Sequence, residues 1–289
     1  MPPSSETATL TFTILGCGSS GGVPRVGQGW GVCDPANPRN RRRRCSMLVE
    51  RAGPEGKTTV LVDASPDLRE QLLDVGVTHL DAVLFTHEHA DHTHGIDDLR
   101  PLAIHNRRRV DIYADDETAR MLHQRFGYCF ATPPGSGYPP ILSDHRFREG
   151  REIVIAGAGG PITALPFRQR HGDIDAFGFR FGNVAYSSDV NGFPENTLSH
   201  LHNLEVWIID ALREAPHPSH FTLQEALDHV GLLKPNLAIL TNLHTDLDYS
   251  VLAARLPEGV IPAYDGLQFT SQMRDGTILN ERGGAEASG

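Results

Sequence analysis

The chain has 289 residues, with 26 basic and 36 acidic side chains and a formal net charge of −10. This acidic balance argues against general affinity for nucleic acid, and the length allows one large domain or two small ones. No apolar run reaches the roughly 18 residues of a membrane-spanning helix, and the first residues lack the features of a signal peptide. The four cysteines are widely spaced, which fits a reducing compartment, so we expect a cytoplasmic protein with no membrane partner.

The first half of the chain is predicted to start with strands and to continue with alternating strands and helices. A strand at 8–15 leads into a glycine-rich loop that runs from Gly16 to Pro24. The next predicted strands are 45–51, 58–63, 80–85 and 110–114, and the predicted helices are 67–75, 97–106 and 115–126. A loop rich in proline and glycine follows at 131–140.

The second half repeats this order, with strands first and then strands alternating with helices. The predicted strands are 151–156, 162–168, 176–181, 183–187, 206–210 and 237–241, and the predicted helices are 195–202, 223–232 and 249–256. Thr222 and Glu225 have the spacing of a capping box at the start of one of these helices. Residues 282–289 are predicted to form a disordered tail.

Three imidazoles and one carboxylate are concentrated directly after the predicted strand 80–85. They form the pattern His-x-His-x-Asp-His, with His87, His89, Asp91 and His92. Imidazole and carboxylate suit Zn²⁺, Mn²⁺ and Fe ions, and a strand end followed by a tight turn can direct these side chains at two neighbouring points. The pattern therefore predicts two metal ions about 3.5–4 Å apart, as in binuclear hydrolases. The alternative is a surface loop that binds metal adventitiously, which the apolar strand before the motif disfavours.

This pattern resembles the signature of the metallo-β-lactamase superfamily, and the resemblance covers nearly the whole chain. The superfamily has three further ligands in the order His, Asp, His, and the matching candidates are His171, Asp189 and His244. A turn aspartate before Asn191 is the alternative for Asp189. The resemblance implies an α/β (α+β) fold, a four-layer αββα sandwich, in a single domain over residues 1–281.

The resemblance also implies how two divalent ions, Zn²⁺ or Mn²⁺, are held. The first ion takes His87, His89 and His171, the second takes Asp91, His92 and His244, and Asp189 bridges the two. Asp91 is counted among the catalytic residues as well as the ligands. An aspartate at the bridging position fits the phosphodiesterase, nuclease and glyoxalase branches, whereas the zinc β-lactamases have a different residue there.

Two other segments resemble the phosphodiesterases of the carbon–phosphorus lyase pathway and the tRNA 3′-end endonucleases. In the segment 217–226, the resemblance implies that His220 contacts the substrate and donates a proton to the leaving oxygen. His217 is a less favoured candidate, and a packing role at the helix start is the other alternative for His220. In the glycine-rich loop, Ser19 and Ser20 are predicted to bind substrate, although the loop can also be a plain tight connection.

The predicted activity is hydrolysis of a small phosphodiester, such as a cyclic ribose phosphate or a cyclic nucleotide, by attack of a metal-bridging hydroxide. The alternatives are a tRNA-processing or other nuclease, a glyoxalase-type thioester hydrolase and, least favoured, a metal-binding protein without catalysis. We expect a small phosphodiester or a nucleotide-like molecule as the substrate, with nucleic acid not favoured, and a homodimer is an open option.

Two features depart from these relatives or stay unassigned. The segment from Trp30 to Pro35 has one cysteine where the related phosphodiesterase has a cysteine-rich zinc site, so no structural zinc is expected. The basic run Arg39–Arg44 either binds substrate or is a solvated surface.

Overall fold

The computed structural model describes residues 7–274, which contain fourteen strands in two sheets. The strands are β1 (Thr7–Gly16), β2 (Ser46–Gly53), β3 (Gly56–Val62), β4 (Ala82–Leu84), β5 (Val110–Ala114), β6 (Leu142–Arg146), β7 (Ile153–Ile155), β8 (Ile162–His171), β9 (Ile174–Phe181), β10 (Val184–Ser187), β11 (Val206–Asp210), β12 (Leu237–Thr241), β13 (Val260–Pro262) and β14 (Gln268–Arg274). The predicted tail at 282–289 lies outside the described residues.

Six α-helices lie in this part of the chain. They are α1 (Leu68–Asp74), α2 (Ala90–Thr93), α3 (Arg100–Asn106), α4 (Asp116–Phe130), α5 (Leu223–Leu233) and α6 (Tyr249–Arg255), and 3₁₀ turns occur at Pro38–Asn40, Ile96–Leu99 and Glu195–Leu201. The predicted capping box is present, because the Thr222 hydroxyl accepts from the Glu225 amide while the Glu225 carboxylate accepts from the Thr222 amide. None of these helices is long and apolar enough to cross a membrane.

The two sheets have the same arrangement of antiparallel and parallel strands. Their strand orders are β14-β1-β2-β3-β4-β5-β6 and β13-β12-β11-β10-β9-β8-β7. The strands β3 to β6 are parallel in the first sheet, and β10 to β13 are parallel in the second. Parallel strands end at the same edge of a sheet, so the residues that follow them meet there.

Alternating side chains divide the apolar residues into three layers of core. On β3, Val60 and Val62 face the core between the sheets, whereas Leu61 packs under the helices of the first half. On β11, Ile208 faces the inner core and Trp207 packs under the helices of the second half. Two sheets packed face to face with helices on both outer surfaces confirm the predicted αββα sandwich.

The structure differs from the predicted elements at several edges. The strands β6, β13 and β14 were not predicted, because edge strands of three to seven residues have little periodicity to identify them. The predicted helix at 195–202 is a 3₁₀ segment, and β8 continues past residue 168 to His171. This longer strand places the imidazole of His171 at a sheet end, as the ligand pattern requires.

Most of the basic run Arg39–Arg44 is structural. Arg42 is buried and donates to the carbonyl oxygens of His244 and Leu247. Arg43 pairs with Asp265 at 3.1 Å, and Arg44 pairs with Asp67 at 2.9 Å. These arginines therefore hold the polar stretch after the glycine-rich loop against the sandwich. Arg39, which contacts Tyr249 and Tyr264, and Arg41 are exposed and are in no ion pair of the described residues.

Candidate metal centre

The His-x-His-x-Asp-His segment comprises the turn after β4, with His87 and His89, and part of the one-turn helix α2, with Asp91 and His92. His87 is fully buried three residues beyond the end of β4, and His89 is the N-cap residue of α2. The Thr93 hydroxyl donates to the carbonyl oxygen of His89 at 2.9 Å and closes the turn. The ring centroid of His87 then lies 4.6 Å from that of His89 and 4.3 Å from that of His92.

Ligand atoms from five predicted metal ligands and from His220 converge at this edge of the sandwich. They form three groups in which the atoms lie within 4.8 Å of one another: His87, His89 and His171; His87, His92 and Asp189; and His171, Asp189 and His220. The first two groups draw on both halves of the chain, and the third lies in the second half. The sandwich therefore brings the first motif together with the ends of β8 and β10.

Asp189 lies at the centre of the cluster. Its Oδ1 is 3.0 Å from Nε2 of His92, and its Oδ2 is 3.7 Å from Nε2 of His171. One carboxylate thus faces an imidazole of each predicted ion site. This is the position that a bridging ligand must occupy.

Two polar atoms of the cluster are buried without a hydrogen-bond partner in the described part of the chain. They are Nε2 of His87 and Oδ1 of Asp189, whose 3.0 Å contact with His92 lacks hydrogen-bond geometry. Leaving such atoms unpaired in a protein interior costs about 1–3 kcal/mol each. A divalent cation satisfies both atoms, so the donor set fits a metal site.

In three of these histidines, the Nδ1 atom lies within hydrogen-bond distance of a residue outside the ligand groups. Nδ1 of His92 lies 2.7 Å from Oδ2 of buried Asp63, and Nδ1 of His171 lies 2.7 Å from the carbonyl oxygen of Ser219. Nδ1 of His87 lies 3.0 Å from the hydroxyl of Thr86, which in turn donates to Asp63. Anchoring one nitrogen of each ring directs the opposite nitrogen into the shared space and fixes its tautomer.

The electrostatics of the cluster favour a bound cation. Burial lowers the pKa of His87 well below its usual value and that of His171 to about 4, so both imidazoles are neutral and able to bind metal. Around His92, burial opposes a positive charge, but the carboxylates of Asp189, Asp63 and Asp91 outweigh it and raise the pKa well above its usual value. The buried carboxylates therefore stabilise positive charge at this site, which suits a divalent ion.

Replacing Asp63 with asparagine is expected to weaken metal binding by about 10- to 100-fold, since second-shell carboxylates that orient histidine ligands have effects of this size. Titration of the metal-free protein with Zn²⁺ and Mn²⁺ measures the affinity. Asp81→Asn is the matched control, because Asp81 is also buried but accepts from Thr59 and His79 away from the cluster. The orienting role would be contradicted if Asp63→Asn were destabilised like the control but bound metal with the affinity of the parent.

His220 lies beside the cluster with a buried acidic partner. Its Nδ1 is 2.7 Å from Oδ2 of Asp210 and 3.8 Å from Oδ2 of Asp189, and its ring centroid is 4.7 Å from that of His171. Burial acts against a charged ring, but Asp210 outweighs it and raises the pKa of His220 to about 9. His220 is therefore a protonated imidazole at neutral pH, next to the space that the ligands enclose.

The other two predicted ligands, Asp91 and His244, are not members of the three ligand groups. Oδ2 of Asp91 lies 3.5 Å from Nε2 of His92. His244 is outside the three ligand groups: its Nε2 contacts a guanidinium nitrogen of Arg25, and its Nδ1 lies 3.1 Å from Asp246. Besides His171, the histidine of the second half that the structure brings into the cluster is His220, so the role of His244 as a ligand stays a prediction.

The glycine-rich loop lies against the segment that carries His244. The amide of Leu243 donates to the carbonyl oxygen of Cys17 at 2.8 Å, and Gly18 forms a bridge with Leu243. Ser19 is buried with no hydrogen-bond partner for its hydroxyl in residues 7–274, whereas Ser20 is exposed. The loop is therefore next to the segment that carries His244, and substrate binding by the two serines stays a prediction.

Three polar residues of the site were missed in the sequence. Asp63 and Asp210 each lie at the end of a predicted strand, which is the signal that identified the ligands, but a single aspartate there is also typical of a turn. Arg25 follows the glycine-rich loop, and nothing in its local sequence distinguishes it from a surface arginine. Its contact with His244 arises from the packing of chain segments more than two hundred residues apart.

The chain has clear relatives among known proteins. The family model described as a beta-lactamase superfamily domain matches residues 58–242. A crystal structure of a diphosphatase from the PhnP family is 34% identical, superimposes with a TM-score of 0.83, and is aligned over 93% of this chain and 100% of that one.

Two curated proteins are also similar to this chain in sequence. An octanoyltransferase of Porphyromonas gingivalis is 33% identical over 273 residues, which are 93% of this chain and 52% of the relative. A ribonuclease Z of Bradyrhizobium is 31% identical over 157 residues, which are 51% of this chain and 47% of the relative. The chain thus spans about half the length of these curated relatives.

Proposed function

The chain belongs to the beta-lactamase superfamily, and from this premise we propose that it is a binuclear metal-dependent phosphodiesterase that hydrolyses a small phosphodiester. Its assignment as a hydrolase of this superfamily follows from the family and from the likeness to the PhnP-family diphosphatase. The number of ions and the phosphodiester substrate are our proposal. The observation that carries it is the central carboxylate of Asp189, which faces His92 on one side and His171 on the other.

The proposed ligands divide between two ions that share Asp189. His87, His89 and His171 would hold the first ion, and Asp91, His92 and His244 the second. When bound, two divalent ions lower the pKa of a water molecule toward neutrality and neutralise negative charge on a phosphate. Burial keeps the imidazoles of His87 and His171 neutral, and hydrogen-bond partners orient these two rings and that of His92, so little reorganisation is needed at the reaction step.

His220 is proposed to protonate the leaving oxygen of the ester. It carries a proton at neutral pH, lies beside His171 and Asp189, and is held by Asp210, which pairs with its Nδ1 at 2.7 Å. The amide of Val190 also donates to Asp210 at 3.0 Å, which fixes the carboxylate relative to the segment of Asp189. A positioned imidazolium of this kind contributes about 10²–10⁴-fold to a rate.

Replacing Asp210 with asparagine is expected to move the alkaline limb of the pH–rate profile to lower pH. A general acid works in its protonated form, so the rate falls as pH rises through its pKa. Asp210 raises that pKa, and without its charge the proton is lost at lower pH. The pH dependence of kcat for an alkyl phosphodiester measures the shift, and an unchanged alkaline limb would remove Asp210 and His220 from this role.

A substrate comparison tests the proposed function. The metal-free protein is reconstituted with Mn²⁺ or Zn²⁺ and given bis(p-nitrophenyl) phosphate, a cyclic nucleotide and a thioester. We expect turnover of the phosphodiesters and little of the thioester. Turnover of the thioester alone would contradict the proposal.

A nuclease is the second candidate, because the similarity to ribonuclease Z covers 51% of the chain. A precursor tRNA is therefore included among the substrates. The net charge of −10 favours the small molecule over the polyanion. Cleavage of the tRNA with a kcat/KM far above that of every small ester would select the nuclease.

A further inference from the structure

The main chain at the proposed bridging residue is held by side chains from other strands. The carbonyl oxygen of Asp189 accepts from Nε2 of Gln169 at 2.8 Å. The carbonyl oxygen of the preceding residue, Ser188, accepts from Nδ2 of Asn242 at 3.0 Å. Both hydrogen bonds are made to the main chain, so they leave the carboxylate of Asp189 available for metal ions.

A third side chain completes this support on the other side of the bridging residue. The amide of Val190 donates to Oδ2 of Asp210 at 3.0 Å. Three successive residues are thus each held by one side chain. These side chains come from three strands of the second sheet, because Gln169 is in β8, Asp210 ends β11 and Asn242 follows β12. The position of the bridging carboxylate is therefore set by the sheet.

The two amide side chains are buried, so the loss of either one would disturb the segment. Gln169 is 0% exposed and Asn242 is 2% exposed. A buried carbonyl oxygen that loses its donor is unfavourable, and the main chain would shift to relieve it. Such a shift would move Asp189 relative to both proposed ion sites, because Oδ1 faces His92 and Oδ2 faces His171.

Both residues also have features that are unfavourable for folding. Oε1 of Gln169 is buried without a hydrogen-bond partner in residues 7–274. Asn242 has a φ of 60°, in the left-handed region that few residues other than glycine adopt. Its Nδ2 also lies 3.0 Å from Nδ1 of His220, so it contacts the proposed proton donor as well. Buried unpaired atoms and left-handed residues are frequent at functional sites, which favours a role beyond packing.

We propose that Gln169 and Asn242 are positioning residues that hold Asp189 where one carboxylate can bind two metal ions. A shared ligand that is already in place needs little reorganisation when the second ion binds. Loss of either amide should therefore weaken the binding of that ion most. This inference rests on the binuclear centre of the proposed function.

The test compares two variants, each with a matched control. Gln169→Met keeps the length of the side chain but not the donor, and Gln71→Met does the same at a buried glutamine that donates to the carbonyl oxygen of Arg44. Asn242→Gly removes the amide but keeps the left-handed backbone, which glycine adopts readily. Asn203→Gly makes the same change at an exposed residue with a φ of 56°.

The metal-free proteins are titrated with Mn²⁺, and binding is followed by calorimetry and by EPR spectroscopy. Two Mn²⁺ ions that share a ligand are magnetically coupled, so their spectrum differs from that of isolated ions. We expect the parent and both controls to bind about two equivalents and to give the coupled spectrum. Gln169→Met and Asn242→Gly should bind the second ion about 10- to 100-fold more weakly, since residues that orient metal ligands have effects of this size. Their coupled signal at two equivalents should be smaller.

Melting temperatures separate positioning from packing. Gln169→Met and Gln71→Met should both be destabilised, whereas the loss of affinity for the second ion should be confined to Gln169→Met. If Gln169→Met and Asn242→Gly bind both ions with the affinity and the coupled spectrum of the parent, the inference is overturned. Asn242→Gly decides the question if Gln169→Met does not fold, because glycine suits the backbone at that position.

The parent protein keeps this inference separate from the proposed function. A parent that binds two coupled Mn²⁺ ions but hydrolyses no phosphodiester would refute the phosphodiesterase proposal, and the comparison of the variants would still decide the roles of Gln169 and Asn242. A parent that binds a single ion would overturn the inference as well, since no ligand would then be shared.

Discussion

Replacing Asp189 with alanine is expected to remove bound metal and activity together. Asp189 faces both proposed ion sites, so its loss should lower the metal content from about two equivalents to one or fewer. Phosphodiester turnover should fall by at least about 10³-fold, because several kcal/mol of charge stabilisation is lost. Metal analysis of the purified protein and kcat/KM on the same sample measure the two effects.

A surface aspartate provides the control for this change. Asp228→Ala removes an exposed carboxylate of α5 whose partner is Gln224, and it should keep the metal content and rate of the parent. The turn interpretation of Asp189 makes a different prediction, namely a loss of stability with metal content intact. An Asp189→Ala protein with two ions and full activity would refute the bridging role.

Replacing His220 with alanine is expected to slow an ester with a poor leaving group far more than one with a good leaving group. A proton donor is needed most when the leaving oxygen is basic, so turnover of an alkyl or ribose phosphodiester should fall by about 10²-fold or more. A p-nitrophenyl ester should be affected much less. Parallel assays of the two substrates measure the difference.

The metal content of the same variant separates two roles for His220. His220 belongs to a group with His171 and Asp189 that could hold an ion, so the structure also allows it to act as a ligand. As a proton donor, His220→Ala should retain the metal, whereas His244→Ala should lose it. If His220→Ala loses metal and His244→Ala does not, the two histidines exchange roles in our assignment.

The ligand cluster was predictable from sequence because most of its members follow strands. His87 follows β4 and Asp189 follows β10, and both strands belong to the parallel part of a sheet, where strand ends gather at one edge. The apolar strands therefore predicted the convergence of these residues, and the ordered ligand pattern predicted the fold through the superfamily resemblance. The superfamily resemblance is confirmed by the family match and by the four-layer structure.

Contacts between distant segments could not be predicted in the same way. Three contacts depend on how separate segments of the chain pack, and they join Asp63 to His92, Asp210 to His220 and Arg25 to His244. The sequence gives no distance between such segments. The same limit explains the Arg39–Arg44 run, whose buried and paired members are defined by partners far along the chain.

The central claim, two cooperating metal ions in a phosphodiesterase, is tested most directly by titrating the metal-free protein. Mn²⁺ or Zn²⁺ is added from zero to three equivalents, and hydrolysis of bis(p-nitrophenyl) phosphate is measured at each step. Our account predicts that the rate rises to a plateau at about two equivalents, as expected for a binuclear centre. A plateau at one equivalent, or no hydrolysis at any loading of a folded protein, would contradict it.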